Sequence, residues 1–309
     1  MKQLPIKNID FLEINNLANN FINTNQNYNL YLKDNLFSKP SGIAYLSTLI
    51  QQNKDNLNID IENQNSEKIR YLQRTNFFTN LDILLDENFN RYNVANNMLE
   101  CSKVQTSDDP DLVDKNLKKI LEVHLADKEQ LILGILLTTY EITDNILEHS
   151  EGKKFQQGLR SIEKSGFVSA QYYGNSYNHI EIGISDSGIG IINTMQEAYP
   201  DLSRREVLKK AFESNTTRFV KTMPNRGNGL AKLKEVVLES NGEVICRTSE
   251  YRIHINNKNK DGIIYKEDNR IKGTHFKIII GCSKTLDTKK IFNTEPEDYV
   301  DSLDDFFID

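Results

Sequence analysis

Residues 179–191 read HIEIGISDSGIGI. The first seven alternate in the manner of a half-buried β-strand, with Ile180, Ile182 and Ile184 on one face. The strand ends in Asp186 and runs into a turn containing Gly188 and Gly190. A carboxylate at a strand end faces outward, and glycines beside it let the backbone come close to a ligand. Turns of this composition also serve as ordinary chain reversals, so the meaning of this one depends on what surrounds it.

Upstream lies EQLILGILLTTYEITDNILEH (129–149), a helix pattern apolar around most of its circumference and therefore expected to be buried. Glu141, Asn145 and His149 interrupt it at intervals of four, which stacks them on one face about 6 Å apart. Burying a carboxylate and an amide among leucines costs several kcal/mol unless they have partners, and a satisfied structural network is one explanation. Downstream, NRGNGLAKLKEVV (225–237) places Gly227 and Gly229 before an amphipathic helix carrying Leu230, Leu233, Val236 and Val237. A glycine turn feeding a helix offers free N–H groups and the positive end of the helix dipole, a ready phosphate site, although a plain helix entry has the same sequence. In KGTHFKIII (272–280), Thr274 opens an apolar strand.

In this order the four blocks resemble the N, G1, G2 and final boxes of the GHKL ATP-binding family, the fold of gyrase-type, heat-shock-chaperone-type, histidine-kinase and mismatch-repair ATPases. The resemblance covers about residues 125–281. It implies that Asn145 holds a magnesium ion bridging the phosphates, through the hard amide oxygen that magnesium prefers. It implies that Glu141 is the general base of the hydrolysing members and that Asp186 accepts from the adenine amino group. Gly188 and Gly190 let the backbone close on the base, and Thr274 supports it. Gly227, Gly229 and Leu230 form the phosphate-lining block, with Arg226 supplying charge. The implied cofactors are ATP and Mg2+. Residues 191–226 correspond to the mobile lid, the most basic stretch of the chain, with Arg204, Arg205, Lys209, Lys210, Arg218 and Lys221. For 204–210 a solvated helix face is the preferred reading, while Arg218 or Arg226 complements the triphosphate.

Within the family, His124 lies in EVHLAD, which is not a phosphoacceptor context, and only a short tail follows the ATPase block, unlike gyrase-type members. KKAFESNTTR and GNGLAKLKEVV look like the lid and second glycine box of the compact anti-sigma-factor-like kinases. The N-terminal pattern is similar to a STAS-like domain. It comprises a strand at Tyr28–Leu32, a helix IAYLSTLIQQ after Pro40 and Ser41, a strand LNIDI at Leu57–Ile61, and a helix that Ser66 could cap. In that fold a serine at the helix start is phosphorylated, which points to Ser38 or Ser41, with a plain helix cap as the alternative.

The fold expected is α/β (α+β): a STAS-like α/β domain over 1–110, a GHKL α/β sandwich ATP-binding domain over 111–285 and an acidic tail over 286–309, with SDDPD (107–111) as the linker. The 309 residues suit two domains, and a net charge of −6 argues against a general nucleic-acid coat. No apolar run reaches the roughly 18–20 residues of a membrane span. Three scattered cysteines and no signal-peptide pattern make the cytoplasm the expected compartment. The last fifteen residues hold seven acidic and no basic side chains, interleaved with Tyr299, Leu303, Phe306 and Phe307, a candidate docking segment. The functions in view are an ATP-switched regulator that hydrolyses slowly, an anti-sigma-type serine/threonine kinase, or a non-hydrolysing ATP-dependent interaction module in a stress or defence system. Protein partners through the N-terminal domain or tail, and a homodimer, go with all three.

Overall fold

A computed structural model describes residues 2–21, 26–126, 128–150 (side chains to 147), 165–174, 177–213 and 229–282. Its described residues form a mixed α+β fold with eight α-helices, a parallel three-stranded sheet and an antiparallel five-stranded sheet.

The parallel sheet is built by two successive strand–helix–strand units. In β1 (Lys2–Ile9) Leu4, Ile6 and Ile9 point inward and the lysines outward. Asp10 then caps α1 (Phe11–Ala18), accepting from the N–H groups of Leu12 and Glu13. β2 (Tyr28–Ser38) pairs in parallel with β1 on one side and with β3 (Leu57–Ile61) on the other. Between β2 and β3 runs α2 (Pro40–Gln52), with proline at its start where a missing N–H is harmless. Ser66 caps α3 (Glu67–Arg74), its Oγ accepting from the Ile69 N–H. The sequence pattern indicated only 28–32 for β2, and neither β1 nor α1. Pro5 hides β1, yet β1 is an edge strand, where an absent donor costs little.

The antiparallel sheet has the order β4 (Met98–Val104), β5 (Gly166–Tyr173), β6 (His179–Asp186), β8 (Asn259–Gly281), β7 (Glu243–Asn256). One face carries α4 (Asp109–His124), α5 (Glu129–Ser150), α6 (Ile191–Gln196), α7 (Arg204–Ala211) and α8 (Gly229–Glu239). Leu117, Ile135, Ile182, Leu233 and Ile278 share the core on that side. The other face packs on α2. Along β6 the three isoleucines go to the helix side, while Glu181, Gly183 and Ser185, of opposite parity, face α2. Residues 40–50 of α2 are buried all round, because one sheet covers each side of the helix.

Three expectations change. SDDPD is not a linker: it enters α4, where Asp109 accepts from the N–H groups of Gln105 and Thr106 at 2.7 Å. Proline and acidic residues that suggest a break also suit a first helical turn. The chain passes into the antiparallel sheet before 110, since β4 already pairs with β5. Ser41 is 1% exposed and donates its N–H and O–H to the Glu181 carboxylate, at 3.3 and 2.5 Å. A phosphate there would meet the Glu181 carboxyl group, and this buried serine is closed to a kinase in this fold. Ser38 is buried as well. No described helix is long and apolar enough to cross a membrane.

Candidate functional site

Asp186 closes β6, and both its carboxylate oxygens are held by backbone. The Gly188 N–H donates to Oδ1 at 2.7 Å and the Thr274 N–H to Oδ2 at 3.0 Å. Burial pushes its pKa up to about 6, against the downward pull of these donors. The neighbouring turns are interlocked so tightly that only glycine fits. Gly273 has φ +83°, and a Cβ there would lie 1.8 Å from the Asp186 carbonyl oxygen. Gly190 has φ +82°, and a Cβ would lie 2.7 Å from Thr248 Oγ1 and 2.8 Å from the Gly273 carbonyl oxygen. Thr274 Oγ1 accepts from the Ile191 N–H at 3.2 Å, and Thr248 Oγ1 donates to the Gly273 carbonyl at 3.2 Å. The DSGIG and GT segments, some eighty residues apart in sequence, thus form one rigid rim around Asp186.

A second group lies where α5 meets α8. Asn145 donates through Nδ2 to the Glu141 carbonyl at 2.6 Å, which fixes the amide plane with its oxygen on the opposite side. The Glu141 carboxylate lies against the start of α8: a Cβ on Gly229 would be 2.2 Å from Oε2, and Lys232 Nζ is 3.4 Å from Oε1. Leu230 packs, partly buried, against the core.

Ile146 joins the two groups. Its Cδ1 would be 2.7 Å from a Cβ on Gly166, and Gly166 is the ladder partner of Asp186. The Asn145 turn of α5 therefore lies over the end of the strand pair that carries Asp186. Glu141, Asn145, Asp186, Gly188, Gly190, Gly229 and Thr274 all belong to this chain of contacts, and Leu230 is the next residue of α8. Arg226 and Gly227, with Arg218, Lys221, the His149 side chain and the acidic tail, lie outside the described residues.

Three contributors escaped the sequence reading: Gly273, Thr248 and Lys232. Gly273 had a signal, since glycine inside a strand pattern marks a close backbone approach. Thr248 had none, because its role arises from a register irregularity in β7 between Thr248 and Ser249. Arg204 also departs from the solvated-face reading. Its Nε pairs with Glu250 Oε1 at 2.7 Å and its Nη2 reaches Ser249 Oγ at 2.7 Å, which anchors α7 to β7. Arg205 and Lys209 are exposed, as that reading has it. Among the described residues no three His, Cys, Asp or Glu side chains form a metal cage.

The chain matches no protein-family model and no curated protein.

Proposed function

We propose that this chain binds Mg-ATP in a GHKL-type site and switches its protein interactions through ATP binding and slow hydrolysis. One observation carries the reading: the Asp186 carboxylate, presented at a strand end by two N–H donors and rimmed by obligatory glycines, with the Glu141–Asn145 turn and the start of α8 joined to it through Ile146 and Gly166.

Each residue then has a physical task. The Asp186 carboxylate keeps acceptor capacity beyond the Gly188 N–H, the Thr274 N–H and the Thr274 side chain that it already bonds, so an exocyclic amino group can donate to it. Adenine offers that amino group, whereas guanine turns a carbonyl toward the same position, and two acceptors repel. The first N–H groups of α8 face the phosphates, where the helix dipole favours negative charge. Magnesium keeps several waters and takes most of its other oxygens from phosphate, so a single oriented amide such as Asn145 fits the protein's share. When bound, the ion neutralises phosphate charge. Glu141, on the same helix face and held by Lys232, accepts the proton of an attacking water. Partners dock on the N-terminal unit or the acidic tail, in the cytoplasm.

Titration calorimetry with Mg-ATP tests the site. Wild type gives a binding isotherm, Asp186→Asn weakens it by roughly 100-fold, as expected for losing a charge-assisted hydrogen bond, and Glu141→Ala retains binding while losing turnover. Absence of heat in wild type, or unchanged affinity in Asp186→Asn, overturns the reading. With γ-labelled ATP, free phosphate supports hydrolysis, and label on protein favours the kinase alternative.

A further inference from the structure

The back of the rim is held by the N-terminal unit. His275 follows Thr274 on β8 and is fully buried on the side facing α2, stacked on Tyr45 with ring centroids 3.9 Å apart and planes 17° apart. Tyr45 is itself buried and packed against Phe11, at 5.3 Å. His275 Nε2 lies 3.1 Å from the Lys272 carbonyl oxygen, so this nitrogen carries the proton, and Nδ1 accepts from Ser185 Oγ at 2.5 Å. Burial lowers the pKa of the ring to about 3, which keeps it in this neutral form. One imidazole therefore ties together the residue before Asp186 and the residue before Gly273, and the first of these, Ser185, is also the register partner of His275 in the ladder. Thr48 of α2 adds a bond to the Ser185 carbonyl at 3.3 Å.

We infer that His275, clamped between Tyr45 and Ser185, is a positioning residue that sets Asp186 and Thr274 for the adenine edge, so that the N-terminal unit is a working half of the nucleotide site. The inference rests on the ATP-binding reading above and adds the residues that tune base recognition from behind. No atom of His275 touches nucleotide. It acts by fixing where the Asp186 oxygens and the Thr274 N–H stand, and an error of a few tenths of an ångström there falls on the discrimination of adenine from guanine before it falls on phosphate binding.

The experiment compares ATP and GTP affinity by calorimetry, with melting temperature measured alongside, in the full chain. His275→Phe preserves the stack on Tyr45 and removes both hydrogen bonds. It is expected to lower ATP affinity at least tenfold and to shrink the ATP/GTP ratio by a similar factor. Leu72→Ala, buried in the same N-terminal core on α3, controls for destabilisation and is expected to leave the ratio within twofold of wild type despite an equal or larger fall in melting temperature. Should His275→Phe fail to fold, Ser185→Ala removes only the Nδ1 partner and is expected to reduce the ratio three- to tenfold. A wild-type ratio in the folded His275 or Ser185 variant, or an equal loss in Leu72→Ala, overturns the inference. If those variants keep the ratio while Asp186→Asn loses ATP, the nucleotide site stands and the positioning role falls. If wild type binds no nucleotide, both fall.

Discussion

At Asp186 two opposing effects meet, and their balance sets a pH dependence. Burial disfavours the charged form, and two backbone N–H groups favour it, leaving a pKa near 6. An unfolded aspartate titrates near about 3.9. Between roughly pH 4 and 6 the native state thus holds more protons than the unfolded one, so this group's stabilisation is complete below that window and is lost as pH rises through it. Ligand binding runs the other way, because an amino donor needs the carboxylate. Adenosine, which has no titrating phosphate, is the appropriate probe: its affinity should fall about tenfold from pH 7 to pH 5, following the protonated fraction. The weak residual affinity of Asp186→Asn should be flat over that range. A flat wild-type titration would contradict the assignment of Asp186 as acceptor.

At the scale of elements, α2 decides how closely the two sheets approach. Its first turn crosses β6 at Gly183, where a Cβ would lie 2.3 Å from Ser41 Cα and 2.6 Å from the Pro40 carbonyl oxygen. At the same turn a Cβ on Gly42 would lie 2.0 Å from the Ile9 carbonyl oxygen. Both obstacles are backbone, which cannot swing aside as a side chain does. The positive end of this helix is already occupied by the buried Glu181 carboxylate through Ser41. Gly183→Ala should therefore cost about 1–3 kcal/mol, the range for overpacking a close-packed interior. Urea unfolding would show this as a lower midpoint with an unchanged slope. A wild-type midpoint would mean that α2 is free to move away from β6.

For the whole molecule, the N-terminal unit and the antiparallel sheet share a core. Cys101, Phe167 and Ile245, from β4, β5 and β7, belong to the same buried cluster as Tyr45, Leu46 and Leu49 of α2. Polar ties cross the same boundary: the buried Arg247 guanidinium donates to Asn15 Oδ1 at 2.9 Å, Asn15 to Glu267 at 3.1 Å, and Asn269 to the Asn19 carbonyl at 3.0 Å. Removing either partner would bare apolar surface and strand a buried cation, so neither half is expected to melt alone. Chemical unfolding followed by far-ultraviolet circular dichroism and by tyrosine fluorescence should give coincident single transitions. Two separated transitions would show that the halves fold independently.

Local pattern determined much of this protein. The alternation of HIEIGISD identifies β6, the near-continuous apolar run identifies α5, and Ser66 and Pro40 mark helix starts, because strand and helix periods and cap chemistry are properties of a few neighbouring residues. The polar triplet of α5 and the glycine turns singled out Glu141, Asn145, Asp186 and Gly229 for the same reason, whereas Thr274 is reached only through the family resemblance. Tertiary structure alone decided what lies behind them. That α2 is covered on both sides, that Arg204 binds Glu250 and that His275 stacks on Tyr45 all depend on contacts between segments tens to hundreds of residues apart. No local period encodes such pairings; they follow from which surfaces remain to be buried once the elements have formed.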